Sequence, residues 1–280
     1  MKNRRVVSAI RHVLLLAVAA LFAAPIYLAV VVASHPARDV LSGVPALPAG
    51  RLANNIAHVI NNPFPQSPSL GTMMLNSLIL ALGVAVLKLA LSVPAAYAVG
   101  FFRFPGRMVM FWLIFITLML PVEVRFFPTY QVTANLGLLN SQGGLILPLI
   151  ASATAVFLFR QYFRSFPREL ADAARLDGIG PIRFLTSIVL PLARPTLAAI
   201  FVLEFIYGWN QYLWPLLVTS SPQHATVVMG IRQIITAAQS FSVPQWDLVM
   251  SVALVALIPP VLIVMAMQRW FVRGLMAGID

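Results

Sequence analysis

Six long apolar stretches, at 12–34, 72–100, 108–122, 143–163, 195–218 and 247–268, constrain this chain more than any other feature. A helix needs about 20 apolar residues to cross the hydrocarbon core of a bilayer. Only helices and closed barrels satisfy their backbone groups there. The stretches are continuous runs and not short segments of alternating polarity, so a barrel is excluded. The expectation is an all-α polytopic membrane protein with six transmembrane helices in one transmembrane domain spanning 1–280. Composition agrees, since 60% of residues are hydrophobic and 10% charged, against about 25% charged in soluble domains. A soluble enzyme and a disordered chain are both ruled out. With no cysteine, disulfides and thiolate chemistry are absent as well.

The 19 basic residues against 8 acidic ones would suit nucleic acid, but their positions point to topology. Lys2, Arg4, Arg5 and Arg11 precede the first stretch, and Arg103 and Arg107 separate the second from the third. Arg160, Arg164, Arg168, Arg175, Arg183 and Arg194 fall around the fourth-to-fifth connection, and Arg269 and Arg273 in the tail. The opposite side holds only Arg38, Arg51, Arg125 and Arg232. By the positive-inside rule both termini are cytoplasmic and the first stretch is an uncleaved span. Nucleic acid becomes an unnecessary partner; the lipid bilayer is the required one. Residues 35–70, rich in Pro, Asn and Ser, read as an irregular external loop. Residues 219–246 read as a polar loop with one helical stretch near Val227–Ala238.

The internal connection at 164–195 carries the most information. Pro167 suits the first turn of a helix, with Ser165 or Phe166 ahead of it as the cap. Glu169 and Asp172 lie in its early turns, where acids favour the helix dipole. Gly178 and Gly180 stop that helix, and Pro181 opens another running towards Leu190 and Pro191. Ala171, Ala173 and Ala174 form a small-residue surface that allows close approach. Spacing alone leaves two readings open: a docking surface for a partner, or a loop packed on its own bundle.

Asp172-Ala173-Ala174, then Gly178, then Ile188-Val189-Leu190-Pro191 nine residues later, resembles the EAA loop of ABC importer permeases. The family carries Glu where this chain has Asp172, one methylene shorter. The tail Gln268–Leu275 is similar to the end of carbohydrate-type importer permeases. Residues 111–136, 151–161, 205–217 and 257–269 resemble the permeases of bacterial sn-glycerol-3-phosphate importers. The resemblance implies the permease fold of that family in the bacterial inner membrane, without catalysis in this chain. It also implies a second homologous permease subunit, two copies of an ABC ATPase holding ATP and Mg, and a periplasmic substrate-binding protein. Glu169, Asp172, Ala173, Ala174, Asp177, Gly178, Ile188, Leu190 and Pro191 then become the residues coupling the loop to the ATPase. This chain has no Gly-x-x-x-x-Gly-Lys-Ser/Thr phosphate loop of its own. A glycerophosphodiester or a sugar is the alternative substrate. An ion-coupled secondary carrier is the alternative class, but no inverted repeat supports it.

A phosphate-bearing substrate would need cations and polar groups along its path. Lys88 lies inside the second span, where a cation costs about 2.5–3.5 kcal/mol on insertion scales. Either it meets the substrate in a cavity, or it pairs with Glu204 of the fifth span; both readings rest on the same desolvation argument. Glu123 and Arg125 stand at the outer end of the third span, where an arginine can attract phosphate or snorkel to headgroups. Trp209, Asn210, Gln211 and Tyr212 interrupt the fifth span, flanked by Gly208 and Pro215. Such groups line a pathway, join helices by hydrogen bonds, or anchor at the interface. His12, His35, His58 and His224 are scattered without metal-ligand spacing, so no metal site is expected, and no nucleophile elbow occurs.

Overall fold

A computed structural model describes residues 2–62, 68–120, 122–239 and 243–276, and every regular element among them is helical. In chain order these are α1 (Lys2–Ser34), α2 (Ala37–Ser42), α3 (Leu52–Asn61), α4 (Leu70–Phe101), α5 (Arg107–Met119) and α6 (Val122–Asn135). Then come α7 (Gln142–Ile146), α8 (Ala153–Arg164), α9 (Arg168–Leu176), α10 (Pro181–Phe184) and α11 (Leu190–Leu192). The last four are α12 (Arg194–Trp209), α13 (Leu213–Val218), α14 (Val227–Gln239) and α15 (Trp246–Met276).

All six apolar stretches are helical, but they are of two kinds. α1, α4 and α15 are unbroken and long enough to span a bilayer alone. The 32 residues of α4 give about 48 Å of helix, well beyond the ~30 Å hydrocarbon core. The other three stretches are broken. α5 has 13 residues, Leu120 takes an extended backbone (φ −77°, ψ 121°), and α6 restarts the helix. A 3₁₀ turn at Leu147–Leu149 separates α7 from α8, whose axes differ by 46°. Ser152 accepts a hydrogen bond from the Ala155 amide and so caps α8. The segment Pro181–Leu192 meets α12 at 79°. Pro191 and Pro195 near that corner have no N–H to continue the helical ladder.

Segment 35–70 differs from the irregular external loop expected. It contains α2 and α3, and α3 buries Val59 while its polar side stays outside. Pro and Asn obscured a short amphipathic helix whose apolar face repeats at helical spacing. The helix expected near Val227–Ala238 is α14.

Two compact units make up the chain: Met1–Met73 with Met229–Ile258, and Met74–Val228 with Pro259–Asp280. In the first, the Asn55 amide donates to the Ala33 carbonyl at 2.9 Å, and the Ala49 N–H donates to Ser34 Oγ at 2.8 Å. Gly230 lies so near Met73 that a Cβ there would collide with its sulfur. In the second, one apolar cluster gathers Leu80, Val84, Leu145, Leu149, Trp214 and Val218. Trp214 Nε1 donates to the Gly144 carbonyl at 3.1 Å, satisfying the polar end of a fully buried ring. Gly208 packs on α4 so closely that an added Cβ would lie 2.8 Å from Ala81 Cα. A second cluster joins the end of α4 to the internal connection through Tyr97, Phe159, Phe163, Phe184 and Val189.

Candidate functional site

The internal connection forms a capped helical hairpin. α9 begins at Arg168 with Pro167 ahead of it and no side-chain cap. Ser165 instead closes α8, its hydroxyl donating to the Tyr162 carbonyl. The C-terminus of α9 is tightly closed. The Ile179 N–H reaches the Ala174 carbonyl at 2.9 Å, and the Gly178 N–H reaches Arg175 at 3.1 Å. This is a Schellman motif, and Gly178 takes the left-handed conformation it requires (φ +70°). Only glycine adopts that φ without strain, so the family-like glycine has a conformational cause.

The proposed coupling residues divide by exposure. Ala174 is buried against Phe163, Phe184 and Val189, with Ile188 and Leu190 packed on the same cluster. Glu169, Asp172, Ala173, Asp177 and Gly178 remain exposed. Asp172 accepts a bond from Arg175 at 3.0 Å on its own helix. Leu176 is 90% exposed and Ile182 78% exposed, one on each arm of the hairpin. Ile188 lies in a π-helical turn, Leu185–Val189, where the Leu190 N–H reaches back to the Leu185 carbonyl. Pro191 follows it in α11 and cannot donate, so the ladder is loosened before the corner with α12.

A polar cluster is buried further along the same unit. Lys88 Nζ of α4 donates to Glu204 Oε2 of α12 at 2.7 Å, with side-chain exposures of 5% and 9%. Ser152 Oγ donates to the other Glu204 oxygen at 2.9 Å. The Tyr207 ring lies 3.6 Å below Lys88 Nζ, where the face of the ring attracts a cation. Lys88 and Glu204 thus form a pair in the structure. The pair ties an unbroken helix to α12 and to the break before α8.

The polar interruption at 209–212 is a real break in the helix. α12 ends at Trp209, which is buried and stacked on Phe205 at 6.0 Å. Asn210 is exposed, and the Gln211 amide donates to the Tyr207 carbonyl at 3.2 Å. Tyr212 precedes α13 and is partly buried. Arg125 is exposed on α6, near enough for its charge to act on Lys88 and Tyr207. The Glu123 side chain lies outside the described residues.

Residues 88–276 match the family of binding-protein-dependent transport system inner membrane components. The chain belongs to this family. A permease protein UgpE of the sn-glycerol-3-phosphate transport system from Yersinia pestis (strain Antiqua) is 50% identical over 280 residues, covering 98% of each chain. The protein of that name from Salmonella typhi is 50% identical over 276 residues, again covering 98% of each. Among solved structures, a bacterial ABC transporter involved in import of the acidic polysaccharide alginate superposes with a TM-score of 0.81 at 23% identity. That match covers 97% of this chain and 98% of the other, and it shows the fold. This permease is therefore a non-catalytic, multi-pass subunit of an ABC importer in the inner membrane. Its class works with a partner permease, an ATPase and a binding protein.

Two residues of the permease's polar network, and Tyr97 apart from it, escaped sequence reasoning. Ser152 looked like an ordinary serine, although its place ahead of an apolar helix is a cap signal. Tyr207 lies one helical turn after Glu204, and that spacing could have suggested it. Tyr97 gave no signal, because its hydroxyl donates to the Pro181 carbonyl, 84 positions away, at 3.0 Å.

Proposed function

We propose that this permease carries sn-glycerol-3-phosphate into the cytoplasm, working beside a second permease, two ATPase copies and a periplasmic binding protein. The observation that carries the substrate assignment is the full-length match at 50% identity to permeases of sn-glycerol-3-phosphate systems. ATP and Mg reside on the ATPase, and the whole chain acts as one permease domain. Both termini face the cytoplasm, as the distribution of basic residues supports. The hairpin at 164–195 docks on the ATPase. Glu169, Asp172, Ala173, Asp177 and Gly178 meet it, while Ala174, Ile188, Leu190 and Pro191 hold the hairpin to the spans. Support comes from the rigid Schellman closure of α9 and from Leu176 and Ile182 standing exposed beside it.

Along the substrate path we assign Glu123, Arg125, Asn210, Gln211 and Tyr212. Trp209, the first residue of that interruption, is buried on Phe205. Lys88 and Glu204 neutralise each other and hold the helices that form the path. ATP-driven closure of the ATPase pushes the hairpin and biases the spans between two states. The test is ATP hydrolysis by the complete complex in proteoliposomes with its binding protein, comparing sn-glycerol-3-phosphate with maltose. Stimulation by sn-glycerol-3-phosphate alone is expected. Stimulation by maltose alone would refute the substrate, and uptake abolished by a protonophore without any associated ATPase would refute the class.

A further inference from the structure

We propose that Tyr97 is a coupling residue whose hydroxyl ties the internal hairpin to α4, so that α4 carries the ATPase stroke to the Lys88–Glu204 pair. The proposal rests on the reading that the hairpin docks on the ATPase. Tyr97 stands in the last turns of α4, 7% exposed, with its hydroxyl on the Pro181 carbonyl at 3.0 Å. Pro181 opens α10 and follows the α9 closure at Gly178 by three positions. The bond therefore grips the hairpin at the turn between its two arms.

Two further observations set this contact apart from ordinary packing. A cleft of about 60 Å³ separates the end of α4 from α9, lined by Tyr97, Phe101, Ala171, Ala174, Arg175 and Phe184. The two surfaces are thus incompletely packed there, and the hydroxyl bond bridges them. Arg175, the partner of Asp172, is near enough for its charge to act on Tyr97. Arg175 and Tyr97 line the same cleft. From Tyr97, α4 runs as one helix to Lys88, nine positions earlier, passing Pro94, which has no N–H for the ladder. That is about 13.5 Å along one helix. A displacement of the hairpin then reaches the buried ion pair between α4 and α12 without crossing a loop.

The Tyr97 ring is held edge-on by Phe102 at 5.2 Å and Phe163 at 6.1 Å. Tyr97→Phe therefore keeps the packing and removes only the bond. The test uses the assembled complex in proteoliposomes, measuring complex yield, ATP hydrolysis and uptake of sn-glycerol-3-phosphate. Tyr97→Phe is expected to assemble and hydrolyse ATP while taking in about fivefold less substrate per ATP, the size of one lost hydrogen bond. Asn55→Ala removes the side-chain bond to the Ala33 carbonyl, in the other compact unit, with the Tyr97 hydroxyl intact. It should lower yield and leave uptake per ATP unchanged. Wild-type uptake per ATP in Tyr97→Phe, at whatever yield, overturns the proposal, as does an equal loss in both variants. Failure of the docking reading shows separately, as wild-type permease that purifies without an ATPase, and it would overturn this proposal too.

Discussion

Neutralising Glu204 tests the buried pair most directly. Glu204→Gln keeps the shape of the side chain and an oxygen for Ser152 Oγ, but it leaves the charge of Lys88 unpaired in a site 5% exposed. Removing one partner of a buried pair costs about 3–5 kcal/mol. The Tyr207 ring at 3.6 Å still holds the unpaired cation and offsets about 2 kcal/mol of that cost, the size of a desolvated cation–π contact. A net loss of about 1–3 kcal/mol is therefore expected. Replacing both residues, Lys88→Met with Glu204→Leu, removes both desolvation costs together. Such replacements are neutral or stabilising by about 1–4 kcal/mol, less about 1 kcal/mol for the bond lost by Ser152. The assay is denaturant-induced unfolding of the purified complex in detergent, run as a double-mutant cycle. The single variant should unfold well before wild type, and the double variant near it. A single variant as stable as wild type would refute the reasoning, and so would a double variant as weak as the single. Uptake by the double variant reads function: retained uptake fits a pair that holds helices, whereas loss without destabilisation fits a charge that meets substrate.

Three other outcomes follow from the geometry. Gly178→Pro removes the N–H on the Arg175 carbonyl and imposes a negative φ where the chain has +70°; uptake should be abolished with membrane insertion intact, and normal uptake with its ATPase would refute the lever. Gly208→Ala places a methyl 2.8 Å from Ala81 Cα, backbone that cannot rotate away; a stability loss of about 1–3 kcal/mol is expected, checked by the unfolding midpoint of the complex in detergent. Asp172→Ala breaks only an exposed pair with Arg175 and should shift stability by no more than about 0.5 kcal/mol, while lowering uptake. A large stability change with unchanged uptake would remove Asp172 from the coupling surface.

Read alone, the amino-acid sequence establishes the solvent of this protein, the number of its apolar stretches and the place of the hairpin at 164–195. Those features are written in local patterns. Apolar runs of bilayer length leave the backbone only helices, and Gly178 with Pro181 closes one short helix and opens the next. The sequence also marked Lys88 and Glu204 as costly, because an intramembrane charge requires an explanation wherever it stands. It left open whether they meet, since they are 116 positions apart. Tertiary structure decided that. It also decided that two helix pairs bend at a break, because a break depends on whether caps such as Ser152 and neighbours such as Ala81 accommodate the freed backbone. The same holds for α9, where every alanine looks alike in the sequence. Only packing turned Ala174 inward and left Ala173 exposed. Tyr97 is the clearest case: hydrogen bonding between distant segments has no periodicity to read, and its partner is a backbone carbonyl, which every residue possesses.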